Sequence, residues 1–303
     1  MRTLNVIGAG RVGRALGFLW QEKRAFAVQD VLDGTPDGAR EAVAFIGSGN
    51  PAASIDAMRP ADVWMITTPD KEIVASNDRL AAARAVRAGD VVFHCSGSLP
   101  SRELASVVAL GARVASVHPL KSFADSHAAV RTFTGTYCAA EGDRAALDVL
   151  APAFEAIGGR VSEIDPQYKT IYHAASVIVC NYLAALMETG LRCYEKAGLE
   201  RETATRMMEP LVRETLENVL TIGTARALTG PIARGDDEVV RRHLEAFDAW
   251  NERIAAIYRD LGAVAVDLAR ERTGERNEAE HDALLRIETL LKGPLPPRPP
   301  GDL

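Results

Sequence analysis

Apolar residues recur along this chain with two rhythms. In the first half, apolar runs of strand length alternate with stretches of helical period. RTLNVIGAG predicts a strand running into a glycine-rich turn, RVGRALGFLWQEKR a helix and FAVQDVLD a second strand. PDGAREAVAFIG predicts a short helix and ADVWMITTPD a buried strand, with a further helix within 71–88. DVVFHCSG reads as a strand, SLPSRELASVVALG as a helix and RVASVHPL as a strand; TYCAAEG and RVSEI are late strands around a helix at 143–157. Strands alternating with helices at this spacing predict an α/β domain with a doubly wound parallel sheet.

After Asp165-Pro166 no strand pattern returns, and helices are expected at 167–197, 201–222, 237–262 and 264–291. The expected organisation is an α/β domain at 1–164, an all-helical domain at 165–292 and a tail at 293–303. The tail, GPLPPRPPGDL, is expected to be extended, since prolines bar a helix and few apolar groups remain to pack. RERTGERNEAEHD, dense in both charge signs, reads as a solvated helix face or loop. No internal repeat is visible.

The first of the late helices breaks its own pattern. QYKTIYHAASVIVCNYLAALM is apolar, yet carries Lys169, His173, Ser176, Cys180 and Asn181. At roughly 100° per residue, His173 falls at about 40°, Ser176 at about −20° and Cys180 at about 20° from Lys169, while Asn181 lies off to the side at about 120°. A polar stripe on an apolar helix faces water, a partner or a site.

Composition narrows these alternatives. With 303 residues, 47% hydrophobic and 25% charged, the chain has the size of two globular domains with a core. A net charge of −6 argues against nucleic acid or an anionic membrane as the main partner. A strand directly after Met1 leaves no room for a signal peptide, and the long apolar helix is expected to fall short of a membrane span. Cys95, Cys138, Cys180 and Cys193 form no CxxC pair and no metal spacing, so reduced thiols in a cytoplasmic protein and no bound metal are expected.

The candidate chemistry begins at the first turn. Gly8-Ala9-Gly10-Arg11-Val12-Gly13 fits GxGxxG between a strand and a helix, the context in which the pattern binds a dinucleotide. Gly8 permits the turn, Gly10 lets a pyrophosphate approach the backbone, Gly13 packs helix on strand, and the helix N-terminus stabilises the phosphate charge. Asp33, 20 residues past Gly13, can accept from the ribose hydroxyls and leans the cofactor choice towards NAD. Asp30 is a competing acid, and Thr35, Arg11 or Arg40 could still meet a 2′-phosphate.

Ligands in such sheets bind beyond the carboxyl ends of the strands. Three stretches belong there: Thr67-Thr68-Pro69-Asp70, Cys95-Ser96-Gly97-Ser98 and His118-Pro119-Leu120-Lys121. Thr67, Thr68 and Pro69 are expected to line the nicotinamide ribose. Ser96 and Ser98 open a predicted helix whose free N–H groups suit a substrate carboxylate, unless Ser98 is only an N-cap. His118, held extended by the following proline, can exchange a proton with a carbonyl or alcohol, or serve structure only. Lys121 is either a substrate ligand or simply solvated.

The striped helix could close over the nicotinamide, with Lys169 polarising a carbonyl or holding a carboxylate, His173 sharing proton transfer and Asn181 orienting the substrate; the alternative is a dimer-facing stripe. ALTGPIARGD, residues 227–236, presents Arg234 for carboxylate recognition, or else only joins two helices with Asp236 as cap. His243 faces the same cleft or the core.

Together GAGRVG, HCSG, VHPLKSF, YCAAEGD, KTIYHAASVIVCNYLAAL and TGPIARGD resemble a bacterial family described as a Rossmann-like domain followed by a helical domain of unknown function. The resemblance spans almost the whole chain except its tail. That family belongs to a wider group of NAD(P)-dependent reductases, with pyrroline-5-carboxylate reductase, ketopantoate reductase, prephenate dehydrogenase and the deazaflavin-dependent NADP reductases. The resemblance implies NADP as cofactor, reduction of a ketopantoate-like acid and a homodimer built through the helical domain. His118-Pro119 is similar to the His-Pro of prephenate dehydrogenases, whose His is catalytic. Lys169 is similar to the catalytic Lys that ketopantoate reductase places on its first long C-terminal helix. This chain departs from those relatives at His173, where they often carry Asn, and at Asp33-Gly34-Thr35, where family members often read Asn-Arg-Ser/Thr.

The expected activity is therefore hydride transfer from NAD(P)H to the carbonyl of a small 2-keto acid, with Lys169, His118 and His173 at the reacting oxygen. An imine reductase, or a non-catalytic NAD(P)-binding sensor or scaffold, are the alternatives. No GxSxG and no His-rich metal spacing support a hydrolase.

Overall fold

The structure is a computed structural model and describes residues 1–272 and 278–293. Two compact units part between Asn181 and Tyr182. The division falls inside the helical run that the sequence reading assigned whole to the second domain.

The first unit is built on one sheet. Its strands are β1 (Arg2–Ile7), β2 (Phe26–Leu32), β3 (Asn50–Pro51), β4 (Val63–Ile66), β5 (Val91–His94), β6 (Arg113–Pro119), β7 (Tyr137–Gly142) and β8 (Arg160–Glu163), in the order β3-β2-β1-β4-β5-β6-β7-β8. The helices are α1 (Arg11–Lys23), α2 (Pro36–Ile46), α3 (Asp70–Ala82), α4 (Ala105–Val108), α5 (Ser126–Arg131), α6 (Arg144–Ala156) and α7 (Lys169–Ser176). Residues alternate between two cores, as a sheet covered on both faces requires. Val63, Met65 and Phe93 join Leu4, Leu16 and Trp20 on one face. Trp64, Ile66 and Val92 join Ile7, Ile73 and Leu80 on the other. Trp20 anchors the first core, donating from Nε1 to the Ala153 carbonyl at 2.8 Å and meeting Phe26, Phe93 and Phe154 edge to face.

Three details differ from the sequence reading. First, β7 runs antiparallel to β6, with Ala115 opposite Gly142 and Pro119 opposite Cys138. Apolar alternation carries no information on strand direction. Second, SLPSRELASVVALG forms only a 3₁₀ turn at Ser101–Leu104 and the four-residue α4, closed by Gly111 at φ 88°. Third, the striped helix is not uniform. A 3₁₀ turn, Pro166–Tyr168, leads into α7, and a π-turn at Val177–Asn181 separates α7 from α8 (Tyr182–Lys196). A π-turn holds more residues per turn than an α-helix. The wheel therefore loses its register after Ser176, and Cys180 and Asn181 are exposed rather than aligned with Lys169.

Among its described residues the second unit has helices only: α8, α9 (Arg201–Ile222), α10 (Thr224–Ala227), α11 (Pro231–Arg234), α12 (Asp237–Trp250), α13 (Glu252–Glu271) and α14 (Glu278–Leu291). The break expected near 263 lies instead at Asn251, whose side chain caps α13 by accepting from the Ile254 N–H at 3.1 Å. Val240, Leu244, Val266, Leu284 and Ile287 form its main core. The run Pro166–Lys196 is long and apolar enough to cross a membrane by length and composition, at a mean hydropathy of 1.4, contrary to the sequence expectation. The expected tail beyond Gly293, and the centre of RERTGERNEAEHD at 273–277, lie outside the described residues.

Candidate functional site

The glycine turn joins β1 to α1. Gly8 has φ 87°, and a Cβ there would lie 2.5 Å from the Thr68 nitrogen. A Cβ on Gly13 would lie 2.6 Å from Thr67 Oγ1 and 2.8 Å from the Gly8 carbonyl. Both glycines are thus required by packing. Gly10 is different: it is exposed, has ordinary backbone angles, and a Cβ on it would meet nothing within 4 Å. No side chain caps α1, and no acid sits in its first turn. Arg11 and Val12, the next residues, are exposed and half-buried.

Thr67 does not reach outward as expected. Its hydroxyl donates to the Gly8 carbonyl at 2.7 Å and holds the turn shut. Thr68 Oγ1, in contrast, is buried without a partner. Thr68 and Pro69 line a cavity of about 800 Å³ together with Gly8, Asp33, Gly34, Asp56 and Glu72. Unclaimed amides at a helix start, an open face at Gly10 and the orphaned Thr68 hydroxyl fit the pyrophosphate and nucleoside of a dinucleotide.

Of the two candidate ribose acids, Asp30 is taken. Burial raises its carboxyl, but hydrogen bonds and charge from Arg59 outweigh this and hold it below the usual range. Asp33 remains in the cavity. Thr35 also lines the cavity; its Oγ1 caps α2 by accepting from the Gly38 N–H at 3.0 Å, which leaves its O–H to donate. Arg40 pairs with Asp37.

At the end of β5 the serines do not open a helix. Ser96 Oγ accepts from the Ser98 and Leu99 N–H groups at 3.1 and 3.0 Å, consuming the amides expected to hold a carboxylate. Ser96 and Ser98 both donate their hydroxyls to Asp70 Oδ2, at 2.8 and 2.7 Å. An anion-binding role for this turn is therefore corrected: a carboxylate already occupies it. His94 supports the loop from beneath, its Nδ1 accepting from the Ser96 N–H and its Nε2 facing the Pro100 carbonyl.

His118, on β6, meets helix α7. Its Nδ1 lies 3.2 Å from the Tyr172 hydroxyl, and its ring stands 6.0 Å from that of His173. Burial first, then His173 and Lys169, push its pKa down to about 4, so it is neutral at pH 7 rather than titrating near neutrality as expected. Gly97 lies against both imidazoles. A Cβ there would come within 2.6 Å of His173 Nδ1 and 2.9 Å of His118 Nε2. His173 Nδ1 is buried and has no partner.

Lys169 belongs to a deeper layer. Only 1% of it is exposed. Its ammonium donates to Ser116 Oγ and pairs with Glu141 Oε1 at 2.9 Å. Glu141 also accepts from the Ser101 N–H at 2.8 Å and its hydroxyl at 2.6 Å. Burial lowers the Lys169 pKa, and Glu141 opposes that shift. The lysine is thus a buried clamp between α7 and the sheet, and its expected contact with a substrate carbonyl is corrected.

The other predicted residues scatter. Lys121 donates to the Thr132 carbonyl at 2.9 Å and ties its own loop. Ser176 is half-buried and bonds back to the Tyr172 carbonyl. Arg234 is exposed at the end of α11 in the second unit, where Asp236 caps α12. His243 pairs with the Tyr258 hydroxyl at 2.9 Å within that unit. The sequence reading missed Glu141, Tyr172, Gly97, His94 and the part played by Asp70. Tyr172 alone left a trace, three residues after Lys169 on the same face.

No curated protein matches this chain. Residues 2–119 match the profile of a Rossmann-like domain, and residues 136–265 that of a domain of unknown function, DUF2520. Among solved structures, protein TM1727 of Thermotoga maritima is similar at 25% identity and a TM-score of 0.70, over 88% of this chain and 98% of that one. BF3122 of Bacteroides fragilis, proposed to be an NADP oxidoreductase, is 20% identical with a TM-score of 0.65, over 87% and 97%. The imine reductase of Myxococcus stipitatus, in complex with NADP⁺, is 15% identical with a TM-score of 0.61, over 94% and 99%. At these last two identities the likeness is one of fold.

Proposed function

From a chain that pairs a Rossmann-like domain with a DUF2520 domain, we propose a nicotinamide-dependent reductase that acts on the carbonyl of a small, ketopantoate-like 2-keto acid. The observation that carries this reading is the imidazole pair, His118 and His173, packed around Gly97 at the carboxyl ends of β5 and β6. That edge is where such sheets bind ligands.

Gly10 and the first amides of α1 would hold the pyrophosphate, and Thr68, Pro69 and Asp33 the nucleoside. The nicotinamide, when bound, supplies the hydride. His118 enters neutral, and with Nδ1 accepting from Tyr172 its Nε2–H would hydrogen-bond the carbonyl oxygen as charge develops there, the proton that completes the alcohol coming from solvent. His173, with a ring nitrogen unclaimed, is the second group able to hold a proton. Lys169 fixes the start of α7 and does not touch the reacting atoms. Arg234, within the second unit, is an exposed guanidinium at the end of a short helix, the kind of group that suits a carboxylate.

A second reading has a specific observation behind it. Asp70, held by two serines, places a carboxylate on the same edge, which favours a cationic C=N substrate over a keto acid. Reduced nicotinamide consumption, followed by absorbance over a panel of small 2-keto acids and cyclic imines, separates the readings. Keto-acid turnover is expected, with His118→Asn lowering kcat about 10²-fold or more while nucleotide binding persists. Turnover of imines alone would replace the first reading by the second. Nucleotide binding with no turnover across the panel would favour a sensor.

The same proposal includes a homodimer through the helical domain. Tyr182, Leu183 and Leu186 on α8, with Met207, Leu211, Leu216 and Leu220 on α9, are all exposed apolar side chains. Such a concentration suits an interface. Sedimentation of the purified chain is expected to report two chains per particle; a persistent monomer would remove this part of the proposal. The cytoplasm suits both a supply of reduced nicotinamide and cysteines left as free thiols.

A further inference from the structure

The nucleoside end of the cavity carries an uneven charge. Asp33, Asp56 and Glu72 line it, against one guanidinium, Arg79. That guanidinium gives two of its N–H groups to its own helix, to the Ala75 carbonyl and to Ser76 Oγ. The other cations near the second strand are also engaged. Arg14 donates to the Ala9 and Gly38 carbonyls and to Glu41, and Arg59 is held by Asp30. A 2′-phosphate would therefore meet three carboxylates against a single guanidinium, whereas a ribose diol would find acceptors.

Asp33 lies close over the start of α2. Its Oδ2 sits where a side chain on Gly38 would begin, and Thr35 Oγ1 lies 3.0 Å from the same point. The carboxylate thus folds over the first turn of α2, where the helix dipole favours negative charge. A Cβ at position 38 would require the carboxylate to shift from this place.

Building on the dinucleotide reading above, we infer that this cavity selects a free 2′-hydroxyl, so that the chain takes NAD(H) in preference to NADP(H), and that Gly38 is the positioning residue that seats Asp33 for that choice. This sets the chain apart from the NADP-linked relatives named above.

The test is a titration of the purified chain with NADH and with NADPH, read by tryptophan quenching. It is repeated on Asp33→Asn and Gly38→Ala, with thermal melting as a check on folding. The wild-type chain is expected to bind NADH at least about tenfold more tightly than NADPH. Asp33→Asn is expected to narrow that ratio by tightening NADPH, and Gly38→Ala to weaken NADH with the melt unchanged. A preference for NADPH, or a ratio unmoved by Asp33→Asn, would overturn the inference and leave the dinucleotide reading standing. Gly38→Ala binding like wild type would remove the positioning role. A folded chain that binds neither nucleotide would overturn both.

Discussion

His94 has no exposure to solvent, and both its ring nitrogens are in use. Nδ1 accepts from Ser96, so the proton sits on Nε2, facing the Pro100 carbonyl. This arrangement exists only for the neutral ring. Burial, and the nearby charge of Lys169, push the pKa down to about 4. In an unfolded chain the same group titrates near 6.5. Between those values the unfolded chain binds a proton that the fold refuses, so stability is full above about pH 6.5 and falls as pH drops towards 4. His118 adds a change of the same sign. For His94 alone the loss by pH 4 is on the order of 3 kcal/mol. Denaturant unfolding at a series of pH values is expected to show this decline, and His94→Gln to flatten it. An unchanged slope in that variant would mean that the loop over β5 does not depend on a neutral imidazole. Gly97 explains a different residue-scale fact. Only a glycine lets the backbone after β5 lie between two rings that close.

Among the elements, α7 shows how much of the site the sequence carried. Lys169 and His173 stood out because a polar stripe on an apolar helix needs a reason, and both do point inward. Their surroundings were not legible. Glu141 is separated from Lys169 by helix α6, strand β8 and a 3₁₀ turn, and it stands beside Ser116, the lysine's other partner, because β7 runs antiparallel to β6. A glutamate near a strand end reads as solvated in one dimension. Separating a buried ion pair costs about 3–5 kcal/mol, so this pair fixes where α7 begins rather than waiting for a ligand. The π-turn after Ser176 was equally invisible, since no residue pattern distinguishes it from regular helix, and it removed Cys180 and Asn181 from the face. The glycine turn and strands β1, β4 and β5 were legible because continuous apolar runs between turns have few other uses. The serine turn was misread for the opposite reason. Its serines look like a helix start, but a carboxylate from another helix, Asp70, had a prior claim on them.

At the scale of the molecule, each unit has its own core and its own kind of surface. The first unit presents the cavity and the imidazole pair at one sheet edge. The second presents exposed apolar faces on α8 and α9. The central claim is that the sheet edge holds a dinucleotide at the glycine turn, since every step proposed for His118 presumes a nicotinamide beside it. Gly8 and Gly13 cannot test this, because their replacement would collide with the protein itself. Gly10 can. A methyl group there meets nothing in the fold, but it would stand where the pyrophosphate approaches the backbone. The measurement is the NADH affinity of Gly10→Ala beside its melting temperature. The account expects affinity to fall about tenfold or more with melting unchanged; affinity equal to wild type in a folded variant would contradict it.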